Sequence, residues 1–141
     1  MRALLITAVA VGLAAPAAGA FTAINGLAVN PVAGGFEVVA QGSDGPRAIW
    51  CAAGQYARAQ GGGNARIYIL EPYGPSRTRP GWRGVGFTTQ PSPALANGPR
   101  LGDGGNYSVR IRAEGFSLTT GQAENFCSDV WEEITDRWHW R

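Results

Sequence analysis

The fold follows from one stretch, residues 46–60, which reads PRAIWCAAGQYARAQ. It begins after Ser43-Asp44-Gly45, and a proline at the first helical position loses no hydrogen bond through its missing N–H. Ile49, Ala53 and Tyr56 recur at helical spacing, and three glycines at 61–63 end the pattern. The stretch therefore predicts an amphipathic helix, and this helix contains Cys51.

A second helix is predicted towards the end of the chain. Thr119 and Gln122 have the spacing of a capping box. From Ala123 to Trp138, apolar residues follow at steps of three and four, and acidic residues fill the opposite side. Cys127 belongs to the apolar side, so a bond to Cys51 would join the two helices.

Short β-branched and alternating segments predict an antiparallel sheet beside these helices. Asn25-Gly26 lies between two apolar segments and predicts a hairpin with a type I′ turn. Further strands are predicted at 36–41, 65–70, 84–90 and 107–112. In the last of these, Tyr107, Val109 and Ile111 are expected to face inward. The expected fold is α+β, with a small antiparallel sheet, two helices on one face and one helix–helix disulfide.

Residues 1–20 have the features of a signal peptide. Arg2 precedes an apolar run, Pro16 follows it, and Ala18-Gly19-Ala20 provides the small residues that a signal peptidase requires. The run is shorter than the roughly 20 residues of a membrane span, although an N-terminal anchor or a buried helix is the alternative. We expect residues 21–141 to form a single α+β domain, exported to the periplasm or secreted, with no transmembrane segment after cleavage.

The two cysteines of the chain, Cys51 and Cys127, both belong to the part that is expected to be exported. An oxidising compartment favours a disulfide between them. Buried free thiols or a redox pair are the alternatives, but the Cys-x-x-Cys spacing typical of a redox pair is missing. We expect a structural bridge, which would stabilise the fold by about 4 kcal/mol in the chain-entropy model.

No residue pattern in the chain indicates catalysis, a metal or a cofactor. His139 is the one histidine, and no nucleophile is placed beside it by the sequence. With both cysteines expected in a disulfide, a zinc site would lack its usual ligands. The pI near 8.8 reflects a formal charge of only +2, and we expect no nucleic-acid partner.

The acidic residues give no catalytic pair. Glycosidic hydrolysis needs two carboxylates facing each other across a cleft. Glu132 and Glu133 are adjacent on a predicted helix and therefore diverge. Glu37, Glu71 and Glu114 lie near strand ends, and nothing in the sequence brings two of them together. We expect no catalytic residue among them.

The proline-rich loop at 71–83 is the strongest candidate for binding. Between and around Pro75 and Pro80 it contains the candidate ligand-binding residues Tyr73, Arg77, Arg79, Trp82 and Arg83. Guanidinium groups bind carboxylates and phosphates bidentately, and a stiff loop loses less entropy on binding. The same side chains also serve to cover a sheet edge. The partners that suit this loop are an anionic glycan, a lipid headgroup or an acidic protein surface.

The Trp50-Cys51-Ala52-Ala53 helix with Tyr56-Ala57, the Arg66-Ile67-Tyr68 strand and the signal peptide resemble those of small exported bacterial proteins of uncharacterised function. The resemblance implies a shared fold and no activity. We expect a non-enzymatic exported accessory or binding domain. The alternatives are a small Asp/Glu-dependent hydrolase, which two carboxylates lining a cleft would favour, and a secreted enzyme inhibitor, which a protruding stiff loop would favour.

Overall fold

The computed structural model describes residues 21–128. Their six strands form one antiparallel sheet in the order β1-β2-β3-β5-β4-β6. The strands are β1 Phe21–Thr22, β2 Ala28–Val32, β3 Gly35–Ala40, β4 Arg66–Pro75, β5 Arg83–Thr88 and β6 Ser117–Thr119. The helices are α1 Pro46–Ala59, α2 Pro93–Ala96 and α3 Thr120–Asn125. The predicted α+β class, with helices packed against an antiparallel sheet, is confirmed.

Helix α1 forms where the sequence predicts it and covers the centre of the sheet. Its N-cap is Gly45 and Pro46 opens its first turn. The fully buried Trp50 packs edge-on against Phe87, with ring centroids 4.8 Å apart. The indole Nε1–H donates to the carbonyl of Arg110 over 2.8 Å. One large side chain therefore ties α1 to both the sheet and the segment before β6.

Helix α3 begins at the predicted capping box, in which the Gln122 N–H donates to Thr119 Oγ1 over 3.1 Å and Gln122 Oε1 accepts from the Thr119 N–H over 2.9 Å. It packs against α1, and the predicted disulfide between Cys51 and Cys127 is confirmed, with 5.1 Å between the Cα atoms. The helix ends at Asn125, whereas a continuous helix to Trp138 was predicted.

The first hairpin is present, but its turn differs from the prediction. A type I′ turn needs a positive φ at both central residues. Gly26 has a φ of 84°, but the φ of Asn25 is not positive. The Gly26 N–H donates to the Ala23 carbonyl, and the Ala23 N–H donates to the Leu27 carbonyl, each over 2.9 Å. The connection is therefore a three-residue loop that closes on a left-handed glycine.

The strand predicted at 107–112 was wrong. This segment runs irregularly along β4, where the Ile111 carbonyl accepts from the Tyr73 N–H over 2.8 Å. β4 is itself irregular beside this segment, because its register against β5 shifts between Ile69 and Glu71 and again between Glu71 and Gly74. Ile111 is buried as expected, but Tyr107 is 76 % exposed. The sixth strand is Ser117–Thr119, which pairs with the first residues of β4.

Several sequence-based expectations fall outside the described residues. They are the signal peptide at 1–20, the continuation of the last helix, and the positions of His139, Glu132 and Glu133. Within residues 21–128, every helix is too short or too polar to span a bilayer.

Candidate functional site

The loop between β4 and β5, residues 76–82, is anchored to the sheet by Glu37. Phe36 and Val38 on β3 belong to the core that α1 covers, so Glu37 between them faces the other side of the sheet. The residue is buried, with 2 % of its surface exposed. It accepts from Ser76 Oγ over 2.6 Å, from the Arg77 N–H over 2.7 Å and from Thr78 Oγ1 over 2.7 Å. The loop is thus folded back onto the sheet.

The hydrogen bonds keep Glu37 ionised. Burial raises its pKa, but the bonds from Ser76, Arg77 and Thr78 outweigh this effect and hold the pKa below its ordinary value. A carboxylate with a lowered pKa and a full set of donors is a poor proton donor and a good structural anchor. We therefore assign Glu37 to holding the hairpin in place.

Two glycines of β5, Gly84 and Gly86, leave space for the side chains of Glu37 and Glu71. A Cβ at Gly84 would lie 2.8 Å from Cδ of Glu37, and one at Gly86 would lie 3.1 Å from Cβ of Glu71. In the sheet register, Glu37 pairs with Gly86, and Gly86 pairs with Glu71. The expectation that nothing brings two of the glutamates together was therefore wrong: two strands place them on either side of one glycine.

Both glutamates have partners within the described residues. Hydrogen bonds from the hairpin loop occupy both carboxylate oxygens of Glu37. Glu71 accepts from the Arg77 guanidinium over 2.8 Å in an exposed ion pair. The arrangement therefore gives each carboxylate a structural partner and provides no observation in favour of a catalytic pair. Arg77, which the sequence placed in the binding set, is used here to link the loop to β4.

The other four predicted site residues form guanidinium–aromatic pairs. Arg79 stacks on Trp82, with its Cζ 3.8 Å from the ring centroid. Arg83 lies 5.4 Å from the Tyr73 ring centroid, and Arg112 lies 5.0 Å from the same ring. Among residues 21–128, the ion pairs are Arg58 with Glu124 and Arg77 with Glu71. Arg79, Arg83 and Arg112 therefore have no acidic partner in that part of the chain.

A cleft lies next to Tyr73. Its volume is about 500 Å³, and we call it the Tyr73 cleft; it is lined by Asp44, Pro46, Tyr73, Val109, Arg110, Ile111, Arg112 and Ala113. Most of these residues belong to the irregular segment that replaces the predicted strand. The cleft thus combines an apolar lining with two arginines and one aspartate.

Arg112 is a site residue that the sequence reasoning missed. It follows the predicted loop by about thirty positions, and only the packing of the 107–113 segment against β4 brings it to Tyr73. The sequence pattern that could have indicated Arg112 is the alternation of residues 107–112, in which Arg110 and Arg112 were both expected to face outward. Both arginines are exposed, as the alternation predicted.

Metal chemistry finds no support in the part of the chain that the structure describes. Among residues 21–128, no three His, Cys, Asp or Glu side chains are grouped so that they could hold an ion. The two cysteines of the chain form the disulfide.

Comparison with protein-family models gives no match, and comparisons with curated proteins and with solved structures give no significant match.

Proposed function

We propose that the chain is an exported binding domain that recognises an anionic glycan. The contact surface runs from Arg79 and Trp82 through Arg83 to Tyr73 and Arg112, and continues into the Tyr73 cleft. Export is part of the proposal and is supported by the features of residues 1–20 and by the disulfide.

The observation that carries the proposal is the arrangement of Arg83 and Arg112 around one aromatic ring. A guanidinium that packs on a ring is held in position while its N–H groups remain available to a carboxylate or sulfate. Arg79, Arg83 and Arg112, which have no acidic partner in the described chain, each supply such a group. A linear polymer with regularly spaced oxyanions would satisfy several of them at once.

The apolar lining of the Tyr73 cleft favours a glycan over a bare inorganic anion. Val109, Ile111 and Pro46 offer a surface for the C–H faces of a sugar ring, while Arg110 and Arg112 lie close enough to line the same space. The hairpin loop is bonded to Glu37 at its start, through Ser76 and Arg77, and residues 77–82 are exposed. Glu37 and Glu71 are both engaged, which leaves the hydrolase alternative without a supporting observation.

The test is binding of the chain to polygalacturonate, with neutral dextran as the uncharged comparison. We expect binding at low ionic strength that weakens as salt screens the charges. The triple variant Arg79→Gln, Arg83→Gln, Arg112→Gln should bind at least about ten-fold more weakly, a loss of about 1.4 kcal/mol. Isothermal titration and affinity electrophoresis measure the change.

A matched control variant carries the same loss of charge elsewhere: Arg58→Gln, Arg66→Gln, Arg100→Gln. It should retain most of the binding if the position of the charges matters. An equal loss of affinity for polygalacturonate in both variants would show that net charge alone determines the binding. If the native chain binds vesicles of anionic lipid but does not bind polygalacturonate, the glycan proposal is wrong and the partner is a membrane surface.

A further inference from the structure

A second pocket lies beside the last turn of α1. Its volume is about 230 Å³, and we call it the Tyr56 pocket; its lining includes Phe36, Tyr56, Gln60, Thr88, Thr89 and Gln90. The other lining residues are three glycines and one alanine, so the lining contains no charged side chain. Pro46, which lines the Tyr73 cleft, opens the 14 residues of α1, and these extend about 21 Å. The pocket is therefore separate from the cleft.

The aromatic wall of the Tyr56 pocket is held in place by other rings. The ring centroid of the partly exposed Tyr56 lies 4.6 Å from that of the buried Phe36 and 5.5 Å from that of Phe21. These contacts fix the Tyr56 ring where it lines the pocket. A fixed aromatic surface loses little entropy when a ligand packs on it.

The backbone on both sides of the Tyr56 pocket is also fixed. The Gly62 N–H donates to the Ala57 carbonyl over 2.8 Å, and the Gly62 carbonyl accepts from the buried Thr120 hydroxyl over 2.7 Å. At the end of β5, the Gln90 N–H donates to Thr88 Oγ1 over 3.0 Å. The pocket is thus formed without a ligand, as most sites for small molecules are.

Polar groups of the lining remain available for a ligand. Among residues 21–128, no hydrogen bond uses the carboxamide of Gln60 or Gln90 or the hydroxyl of Thr89, and all three residues are exposed. Thr88 is buried, and its hydroxyl accepts from the Gln90 N–H but has no acceptor for its own hydrogen within the described chain. A carboxamide and a hydroxyl each offer both a donor and an acceptor.

These features indicate a small uncharged ligand with one apolar face. A lining without charge gives an ion no partner to offset its lost hydration. A pyranose presents a C–H face to an aromatic ring, and its hydroxyls donate and accept as the carboxamides do. The volume is below the roughly 300–1,000 Å³ of pockets for drug-sized ligands, so the pocket suits one sugar ring rather than an oligosaccharide.

We propose that the Tyr56 pocket binds a single uncharged pyranose, packed on Tyr56 and hydrogen-bonded to Gln60 and Gln90. The site is distinct from the surface proposed for an anionic glycan and does not depend on it. Because no charged group takes part, salt should leave this binding unchanged, whereas it should weaken binding to the arginine surface.

Titration of the isotope-labelled native chain with glucose, galactose and N-acetylglucosamine tests the proposal by NMR. At least one of the three should bind with a Kd on the order of 1 mM. It should shift the amide signals of Gly62 and Gln90 and leave that of Arg112 unchanged. Gln60→Ala together with Gln90→Ala should weaken this binding at least about ten-fold, and the exposure of both side chains leaves the fold intact.

The matched control, Gln41→Ala together with Asn97→Ala, removes two exposed carboxamides outside the pocket and should leave the Kd unchanged. The triple variant Arg79→Gln, Arg83→Gln, Arg112→Gln should bind the same sugar as tightly as the native chain, whether or not the native chain binds polygalacturonate. The absence of a shift with all three sugars would overturn the proposal. So would full affinity in the Gln60 and Gln90 variant, or a loss of affinity in the arginine variant, which would assign the sugar to the Tyr73 cleft.

Discussion

At the scale of single residues, the position of the β4–β5 hairpin depends on Glu37. This buried carboxylate accepts from the backbone N–H of Arg77 and from the hydroxyls of Ser76 and Thr78. Removing an acceptor from such a set leaves buried donors without partners, which costs more than the net value of each bond. The carboxylate thus holds the arginine-bearing loop against the sheet.

Replacing this acceptor gives the first stability prediction. Glu37→Gln keeps the shape of the side chain but exchanges one acceptor oxygen for an amide donor. We expect it to lower the free energy of unfolding by about 1–3 kcal/mol, measured by urea denaturation. Glu71→Gln breaks only the exposed pair with Arg77 and should cost less than about 1 kcal/mol. Equal effects from the two variants would contradict the anchoring role of Glu37.

The pH dependence of stability follows from the same residue. Because the folded state lowers the pKa of Glu37, its contribution is fully present above the pKa of the unfolded chain, roughly 4.3. That contribution is lost as the pH falls through the lower pKa of the folded state. The difference in unfolding free energy between the native chain and Glu37→Gln should therefore be constant above about pH 5 and shrink under more acidic conditions. A difference that stays constant down to pH 3 would contradict this cause.

At the scale of elements, a glycine sets the distance between α1 and α3. A Cβ at Gly54 would lie 2.9 Å from Cβ of Ala123 and 3.0 Å from the backbone nitrogen of Glu124. The helix pattern alone treats this glycine as a weak point in α1. The tertiary structure shows instead that it allows α1 to pack closely against Ala123 and Glu124 of α3, a few residues before Cys127 of the disulfide.

Substituting this glycine tests the role of close packing. Alanine favours a helix over glycine by up to about 1 kcal/mol, so Gly54→Ala would stabilise an isolated α1. In the folded chain we expect a loss of about 1–3 kcal/mol, because the added methyl group forces the helices apart. Gly121→Ala in the first turn of α3 has open space around its Cβ and should be neutral or stabilising. Thermal unfolding of both variants measures the contrast, and a stabilised Gly54→Ala would contradict it.

At the scale of the whole molecule, the disulfide between Cys51 and Cys127 closes a loop that contains β4, β5 and β6. Its residues are separated by 76 positions. A bridge over a separation of this size restricts the unfolded chain and stabilises the native state by about 4 kcal/mol in the chain-entropy model. The constraint acts on most of the sheet together rather than on one element.

Removing the bridge tests this contribution. Cys51→Ala with Cys127→Ala should lower the free energy of unfolding by about 2–5 kcal/mol, as measured by denaturation in urea. The mass of the native chain should not change on alkylation until a reductant is added. Two alkylated cysteines in freshly isolated, unreduced protein would show that the bridge is not part of the native molecule.

The sequence by itself determined the parts that depend on local chemistry. The Gly-Pro start of α1, its glycine end and the capping box of α3 are satisfied by residues within one turn, so local pattern was enough. The disulfide was predictable because two cysteines allow a single pairing. The strand predicted at 107–112 does not form beside a part of β4 whose register against β5 shifts between Ile69 and Gly74, and alternation within a segment does not report on the strand beside it.

The tertiary structure alone decided which charged groups meet. Glu37 and Glu71 are far apart in sequence, and antiparallel register places them on either side of Gly86. Arg112 reaches Tyr73 because an irregular segment packs along β4. Arg77 was predicted to bind a ligand but pairs with Glu71, while Arg79 and Arg83 rest on aromatic rings. Local sequence determines which side chains carry charge, whereas long-range packing determines which of those charges are neutralised and which remain available for binding.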